Sequence, residues 1–472
     1  SWARKQLKDN YTGAAPRKAS DVLSVGDVVY VIPDRRGGAI LSQLPDAQGA
    51  LVALNPKDGA IVTMTGGFDF FNNRFNRVTQ ARRQPGSGFK PFIYSAALDE
   101  GFTPASVILD MPVVLEGGGE ENWRPENSAR DFAGPLRLRE ALVRSRNTVS
   151  IRILQTIGMD AAINHAVKFG FDKATIPRNY TLALGTLVAS PLDMVTGFAT
   201  FANGGFKVTP YYIDRIEDSL GKVVYQAEPE LACLECEDRP AMPPVAMPPV
   251  AAPSLADAGE PGSAPPLLPP EEPPAPRFFD ADAPDKLRQL AQLQGGRGFL
   301  PAKRLAPRVL SPQNAWLMTD IMKDVVLRGT AVRARSLGRT DLAGKTGTSN
   351  DERDAWFNGF NGQLVATVWM GFDEERPLGR GEDGAGAAVP VWMSFMREAL
   401  RNVPANSMAR PSGLIDLKIS PYTGTLADPS DPEAIYETFM LEHQPRVAEP
   451  GDPGYRPFGA GTDGSGGAEP LF

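Results

Sequence analysis

Residues 82–101, RRQPGSGFKPFIYSAALDEG, contain an abrupt turn that leads into a helix. Residues 84–86, QPG, favour a sharp entry, and the apolar residues that follow have the spacing of one helical face: Phe89, Phe92, Ile93, Ala96 and Ala97. Ser87 and Lys90 stand three residues apart in the first turns, so their side chains share a face of this helix. The free N–H groups of a helix N-terminus stabilise negative charge. The stretch therefore predicts a serine and an amine presented together at a helix start.

Two shorter motifs elsewhere in the chain complete a candidate site. The triplet SRN at 145–147 follows a helical run at 137–143, and KTGT at 345–348 lies in a predicted strand. The glycine of the second motif allows a substrate backbone to lie close to the strand. Each motif alone occurs often by chance. All three in this order, each in a suitable element, indicate one catalytic site.

The serine needs a base, and the sequence offers a lysine for that role. A serine hydroxyl is a weak nucleophile unless a neighbouring base activates it. The only histidines, His165 and His443, lie in a helical run and in a polar tail, and we interpret both as structural or solvated. Lys90 is therefore the candidate base for Ser87, and it must be neutral at the moment of attack. Burial and a second cation, Lys345, would both lower its pKa.

The remaining motif residues have predicted roles in proton transfer and substrate binding. Ser145 would bridge the two lysines and pass a proton to the leaving amine. The backbone N–H groups of Ser87 and Thr348 are the predicted oxyanion donors. A substrate amide is expected at Asn147, and a substrate carboxylate at the strand motif. The predicted catalytic residues are Ser87, Lys90, Ser145 and Lys345, and the predicted substrate-binding residues are Asn147, Thr346, Gly347 and Thr348.

The bulk composition limits the classes of function. The chain has 472 residues, 42% of them hydrophobic, which is enough for two or three domains with real cores. Its formal net charge of -7 argues against non-specific nucleic-acid binding, so no nucleic-acid partner is predicted. We find no apolar run of the ~18 residues that a membrane span requires. The opening SWARKQLKDN is not a signal peptide, so we expect a soluble protein or a fragment without its targeting segment.

Strands near both ends of the sequence enclose a helical middle. Strands are predicted within 20–33, in a hairpin at 49–67, and at 342–350 and 355–374. Helices are predicted at 134–158, 160–170, 190–205, 311–330 and 390–403. This order favours an α+β fold, in which one antiparallel sheet is closed by N- and C-terminal pieces and surrounded by helices.

The other motifs in the sequence are interpreted as structural features without a catalytic role. Residues 240–276 contain 14 prolines and are predicted to form a mobile, partly polyproline II spacer, with partner recruitment as the alternative. Cys233 and Cys236 could form a redox pair, half a zinc site or a structural disulfide in a loop. We favour a small disulfide-closed loop or two free thiols without a function. The GxGxxG match at 379–384 and the acidic cluster at 116–121 are interpreted as flexible loops. No metal or cofactor is predicted.

The combination SxxK, SxN and KTG resembles the signature of penicillin-binding proteins and serine β-lactamases. The flanking sequences resemble the C-terminal half of class A, bifunctional penicillin-binding proteins from about residue 20 to 440, apart from the proline-rich insertion. The resemblance implies a transpeptidase fold with a five-stranded sheet among helices. It also implies three parts. Residues 1–45 would end an OB-like domain or linker, 46–410 form the transpeptidase domain with the insertion at about 230–305, and 411–472 form a partly disordered extension.

The resemblance further implies the reaction. Ser87 would attack the D-Ala-D-Ala end of a peptidoglycan stem peptide, release D-alanine and pass the acyl group to an amine of a neighbouring stem. β-Lactams would acylate the same serine. The expected location is the periplasmic face of the bacterial inner membrane, with the anchor and glycosyltransferase domain missing from this chain, and cell-wall synthesis proteins are further candidate partners. The alternatives are a D,D-carboxypeptidase or β-lactamase on the same fold, or a non-catalytic β-lactam sensor or scaffold.

Overall fold

The computed structural model describes residues 13–34, 37–115, 123–233 and 305–449. The helices in these ranges are α1 (Lys90–Asp99), α2 (Leu138–Val143), α3 (Asn147–Ile157), α4 (Met159–Lys168), α5 (Pro191–Ala202), α6 (Pro312–Arg328) and α7 (Val389–Ala399). The strands are β1 (Tyr30–Pro33), β2 (Ala39–Ser42), β3 (Gln48–Leu54), β4 (Ile61–Thr65), β5 (Val107–Asp110), β6 (Gly134–Arg137), β7 (Arg215–Glu217), β8 (Val223–Gln226), β9 (Ala343–Thr348), β10 (Asp354–Phe360), β11 (Val365–Gly371), β12 (Leu414–Ile419) and β13 (Ile435–Met440).

A five-stranded antiparallel sheet in the order β4-β3-β11-β10-β9 forms the centre of the fold. The predicted hairpin supplies β3 and β4, and the strands predicted late in the chain supply β9, β10 and β11. Every residue of β10 is buried, because helices cover both faces of the sheet centre. The predicted α+β fold is confirmed, and it leaves the KTGT strand β9 at one edge of the sheet.

Helix α1 lies in the middle of the main core. Its residues from Lys90 to Leu98 are all buried, so this short helix is packed on every side. The ring of Phe92 contacts five other phenylalanine rings at centroid distances of 4.9 to 5.5 Å: Phe89, Phe169, Phe171, Phe198 and Phe201. Such aromatic packing fixes the start of the helix, where Ser87 and Lys90 stand.

The continuous helix predicted at 134–158 is wrong in two places. Its first four residues form strand β6, which pairs with β5. The rest is divided into α2 and α3 at Ser145, whose φ of 57° lies in the left-handed region. A serine in that conformation is strained, and the two short helices therefore meet at a sharp corner. Apolar spacing alone does not reveal this break.

The chain after residue 410 differs from the expected partly disordered extension. Strands β12 and β13 form an antiparallel hairpin, and a small core of Ala105, Ile419 and Phe439 holds it against the segment before β5. Residues 450–472 lie outside the described residues, as do residues 234–304, which make up most of the predicted proline-rich insertion at about 230–305. Cys233, at the edge of that gap, is disulfide-bonded. None of the described helices is long and apolar enough to cross a membrane.

Candidate active site

Ser87 stands in a 3-10 turn, Gly86–Phe89, that leads directly into α1. The φ of Gly86 is 54°, and its N–H donates to the Gly185 carbonyl at 3.1 Å. A Cβ on Gly86 would overlap the Thr348 carbonyl oxygen, so the turn is pressed against the end of β9. Ser87 is half-buried while Gly86 is buried. The fold therefore presents one partly accessible hydroxyl between α1 and the strand motif.

Lys90 is the first residue of α1, and its side chain is fully buried. Its Nζ donates to the Ser145 carbonyl oxygen at 2.6 Å and to Asn147 Oδ1 at 2.7 Å. Ser145 Oγ is 3.3 Å away. The structure thus brings the predicted base into contact with two residues of the second motif, 55 and 57 positions further along the chain.

The electrostatic surroundings of Lys90 favour its neutral form. Burial lowers its pKa well below the ordinary value, and the charges of Lys345 and Arg146 lower it further. The Asp110 carboxylate opposes them. An amine whose pKa is held down in this way can accept a proton at neutral pH, which is what a general base requires.

Lys345 reaches the same hydroxyl from the other side. Its Nζ donates to Ser145 Oγ at 2.9 Å and to the Thr346 carbonyl oxygen at 3.0 Å. It is fully buried, and burial lowers its pKa to about 7. The two lysines therefore meet at Ser145, whose strained backbone aims its carbonyl and its hydroxyl into the site.

Asn147 is the first residue of α3, and its amide is oriented by the segment before β6. Its Nδ2 donates to the Glu126 carbonyl oxygen at 2.7 Å, and its backbone N–H donates to Asn127 Oδ1 at 2.8 Å. These contacts turn the Oδ1 atom of Asn147 toward Lys90. In this state both polar atoms of the side chain are engaged within the protein.

The strand motif is anchored on both sides. Thr346 Oγ1 and Thr330 Oγ1 are 2.6 Å apart, and Thr348 Oγ1 accepts from the Gly384 N–H at 3.1 Å. A Cβ on Gly347 would overlap the Pro85 carbonyl oxygen. The close approach of the serine turn therefore requires glycine at position 347. The prediction that this glycine makes room for a substrate backbone is wrong, because the Pro85 carbonyl of the protein itself lies there.

The structure also contains an ion-pair cluster around Arg146 that the sequence motifs do not predict. Arg146 is 8% exposed, and it pairs with Asp131 and, at 3.3 Å, with Asp110. The fully buried Asp110 also accepts from Asn127 Nδ2 at 2.7 Å. Burial is the main cause of the lowered pKa of Lys90, and this cluster adds two smaller and opposed effects, because Arg146 lowers that pKa and Asp110 raises it. Its members are far apart in sequence, so no local spacing reveals the contact.

A second buried ion pair fixes the chain before Ser87. Arg83 Nε donates to Asp354 Oδ1 at 2.7 Å, and both side chains are less than 10% exposed. The other Asp354 oxygen accepts from Ser349 Oγ at 2.9 Å, just after the strand motif. Trp369 Nε1 also donates to Asp354, at 2.9 Å. Asp354 therefore ties the approach to Ser87, the sheet and the end of the KTGT motif together.

This arrangement of motifs on a central antiparallel sheet defines the class of protein. Residues 49–238 match the family model described as the penicillin binding protein transpeptidase domain, and residues 1–47 match the penicillin-binding protein OB-like domain. The chain belongs to the penicillin-binding protein transpeptidase family.

Several curated relatives of the chain are penicillin-binding 1A proteins. The chain is 43% identical over its whole length to penicillin-binding protein 1A of Pseudomonas aeruginosa, covering 54% of that protein. It is 35% identical to penicillin-binding protein 1A of Escherichia coli, covering 51% of that protein and 90% of this chain. The chain therefore spans about half the length of the curated relatives it matches, and it is homologous to class A penicillin-binding proteins of this type.

Solved structures agree with this assignment. The crystal structure of penicillin-binding protein 1A from Haemophilus influenzae superposes with a TM-score of 0.74 at 33% identity, over 91% of this chain and 58% of that one. The penicillin-binding protein PonA1 from Mycobacterium tuberculosis has the same fold at 21% identity, with a TM-score of 0.57 over 83% of this chain and 86% of that one.

Proposed function

We propose that this chain is a peptidoglycan D,D-transpeptidase that acts through an acyl-enzyme on Ser87. The observation that carries the proposal is the convergence of two fully buried lysines, Lys90 and Lys345, on the Ser145 hydroxyl at 3.3 and 2.9 Å. The half-buried Ser87 lies in the turn that leads directly to Lys90. Burying two amines this close together is costly. Such a cost is typical of a catalytic site, where perturbed pKa values cluster.

The hydrogen bonds of Lys90 are compatible with a neutral amine. A neutral amine has two N–H donors, and the two short contacts, to the Ser145 carbonyl and to Asn147 Oδ1, use both. The lone pair is then free to take the proton of Ser87 as its oxygen attacks the carbonyl of the penultimate D-alanine. Backbone N–H groups of Ser87 and Thr348 stabilise the resulting oxyanion.

Ser145 completes the proton path. Its hydroxyl accepts from Lys345 and passes its own proton to the nitrogen of the departing D-alanine, while it receives the proton that Lys90 took up. The C–N bond breaks, and the acyl group remains on Ser87. In the second half the amine of a neighbouring stem peptide attacks this ester. Lys90 takes the proton of that amine and returns it to Ser87.

Substrate binding rests on the strand motif and Asn147. Lys345, when protonated, attracts the terminal carboxylate of the donor peptide, and the hydroxyls of Thr346 and Thr348 lie along the same strand to hydrogen-bond it. Asn147 is positioned to exchange its contact with the protein for the amide of the donor peptide. A β-lactam carries a similar carboxylate and amide, and it would acylate Ser87 by the same steps.

The same proposal covers the organisation of the chain. Residues 46–410 form the transpeptidase domain with the proline-rich insertion at about 230–305. Residues 1–45 belong to an OB-like domain or linker, and 411–472 are a C-terminal extension. The protein works on stem peptides at the periplasmic face of the bacterial inner membrane, with cell-wall synthesis proteins as candidate partners.

The test is turnover of a peptide that ends in D-Ala-D-Ala, in the presence of an acceptor amine such as a D-amino acid. We expect release of D-alanine and formation of a new amide, both lost in Ser87→Ala and retained in the exposed control variant Ser219→Ala. Release of D-alanine with only hydrolysed product would indicate a carboxypeptidase. Rapid hydrolysis of penicillin would indicate a β-lactamase. Acylation by penicillin without any peptide turnover would indicate a sensor, and each of these results would overturn the proposal.

A further inference from the structure

A buried carboxylate joins the C-terminal hairpin to the helix that precedes Ser145. Glu437 is in the middle of β13 and is 5% exposed. Its Oε2 accepts from Arg137 Nη1 at 3.0 Å and from Arg139 Nε at 2.9 Å, and its Oε1 accepts from Arg139 Nη2 at 2.7 Å. One carboxylate of the extension therefore serves two buried guanidinium groups of the transpeptidase domain.

Both arginines lie at the start of α2. Arg137 is the residue that precedes the helix, and its Nε also donates to the Pro421 carbonyl oxygen of the hairpin at 3.2 Å. Arg139 is in the first turn and is 8% exposed. Although burial works against its charge, the Glu437 carboxylate helps to raise the pKa of Arg139 above its ordinary value. The hairpin thus holds the first turn of α2 through charge-assisted hydrogen bonds, which are the stronger kind.

The other charges around this contact come from α2 itself and from α6. Arg139 also pairs with Asp320 at 2.7 Å and with Asp324 at 3.1 Å. Glu140 of α2 pairs with Arg328 at 2.7 Å and with Arg137 at 3.5 Å. These α6 partners join α2 to α6, whereas Glu437 is the carboxylate of the C-terminal hairpin that pairs with both arginines. Asp416 of β12 lines the same pocket and pairs with Arg410.

The other end of α2 sets the conformation of Ser145. The helix has six residues, and its last carbonyls accept the N–H groups that follow: Ser145 N–H binds the Leu142 carbonyl at 3.0 Å, and Arg146 N–H binds the Ala141 carbonyl at 2.9 Å. A helix this short moves as one body. A displacement at Arg137 and Arg139 is therefore carried to Ser145, whose carbonyl and hydroxyl contact both lysines.

We propose that Glu437 is a positioning residue for the transpeptidase reaction, because it fixes α2 and through it the Ser145 corner that orients Lys90 and Lys345. The C-terminal hairpin is then part of the catalytic machinery, although it lies outside the three motifs. The inference rests on the proposed function of the Ser87 site.

Removing the Glu437 charge leaves Arg137 and Arg139 facing each other without the carboxylate they share. Their repulsion, relieved by entry of water, would shift the start of α2 and open the Ser145 corner. Lys90 is held neutral mainly by burial, with Lys345 and Arg146 adding to the effect and Asp110 opposing it. Water that reaches Lys90 would raise its pKa, so less of the neutral base would be present at pH 7.

The experiment measures the rate of acylation by a fluorescent penicillin between pH 5.5 and 9.5 for the wild type and for Glu437→Gln. We expect acylation at pH values below the wild-type midpoint to slow about tenfold for each unit by which the pKa of the base rises. The midpoint of the rising limb should move to higher pH. The matched control is Glu433→Gln, an exposed carboxylate just before β13, which should keep the wild-type rate and midpoint.

A second variant tests the contact from the other side. Arg137→Lys keeps the positive charge but cannot bind Glu437 and the Pro421 carbonyl together, and it should slow acylation and shift the midpoint in the same direction by a smaller amount. Arg137→Lys also tests the proposal if Glu437→Gln does not fold. A purely structural role for Glu437 would lower the melting temperature and leave the midpoint of the folded enzyme unchanged, which would overturn the inference.

The positioning role of Glu437 and the proposed function of the Ser87 site are contradicted by different results. If the wild type is acylated at Ser87 and both variants keep its rate and pH midpoint, the positioning role of Glu437 is wrong and the proposed function stands. If penicillin does not label the wild type, or still labels Ser87→Ala, the proposed function itself is wrong.

Discussion

Replacing Lys345 with methionine should make the protein more stable at neutral and acidic pH while abolishing acylation. Burial lowers the pKa of Lys345 from the ordinary 10.5 to about 7. That difference corresponds to about 5 kcal/mol of destabilisation when the amine must be charged inside the protein. Methionine has a similar length and carries no charge. Loss of the hydrogen bonds to Ser145 and to the Thr346 carbonyl costs about 2 kcal/mol at any pH, so the variant should be about 3 kcal/mol more stable at pH 6.

The pH dependence follows from the direction of this pKa change. The pKa of Lys345 is lower in the folded state than in the unfolded state, so protonation of the amine favours unfolding. This penalty is absent above about pH 10.5, where the amine is neutral in both states, and it reaches its full value as the pH falls to about 7. Below 7 the amine is protonated in both states, and the penalty changes no further. The electrostatic penalty should therefore fall from about 5 kcal/mol at pH 6 to about 2 kcal/mol at pH 9. There it equals the cost of the lost hydrogen bonds.

Urea unfolding of the wild type and of Lys345→Met at pH 6, 7, 8 and 9 measures both free energies. The stability gain of the variant should change little between pH 6 and 7, shrink above pH 7 and vanish near pH 9. The exposed Lys173→Met serves as the control, and its difference from the wild type should not change over this range. A difference between Lys345→Met and the wild type that stays constant from pH 6 to 9 would refute the reasoning about the buried amine.

Three further outcomes are expected. Gly86→Ala forces a side chain into the Thr348 carbonyl at a φ of 54°, and it should slow penicillin acylation and lower the melting temperature, because the serine turn must move. Asp354→Asn leaves the buried Arg83 with only the exposed Glu375, at 3.8 Å, as a charged partner, and urea unfolding should show a loss of about 3 kcal/mol. The acylation rate of the wild type should rise with pH through the lowered pKa of Lys90 and level off well below the ordinary 10.5; a rate that still rises near pH 10 would exclude Lys90 as a neutral base.

Those parts of the fold that depend on local pattern could be predicted from the sequence. The hairpin that supplies β3 and β4 has alternating apolar residues around a turn, and α5 begins with a serine cap and a proline, which are strong local signals. The predicted motif residues meet in space because Lys90 begins α1, Ser145 lies between α2 and α3, and Lys345 lies within the edge strand β9.

The remaining features depend on contacts between distant segments. The left-handed corner at Ser145 could not be predicted, because no glycine stands there and the helical spacing of apolar residues continues through it. The C-terminal hairpin is built from short strands in a segment rich in proline, glycine and aspartate, a composition that resembles a disordered tail. Glu437 is recognisable as important only when Arg137 and Arg139, about 300 residues earlier, are brought against it.

Mass spectrometry of the protein after incubation with penicillin identifies the nucleophile. We expect a single adduct with the mass of intact penicillin on the peptide that contains Ser87, and no adduct in Ser87→Ala. An adduct on another residue, or one that persists in Ser87→Ala, would contradict the assignment of Ser87 as the nucleophile.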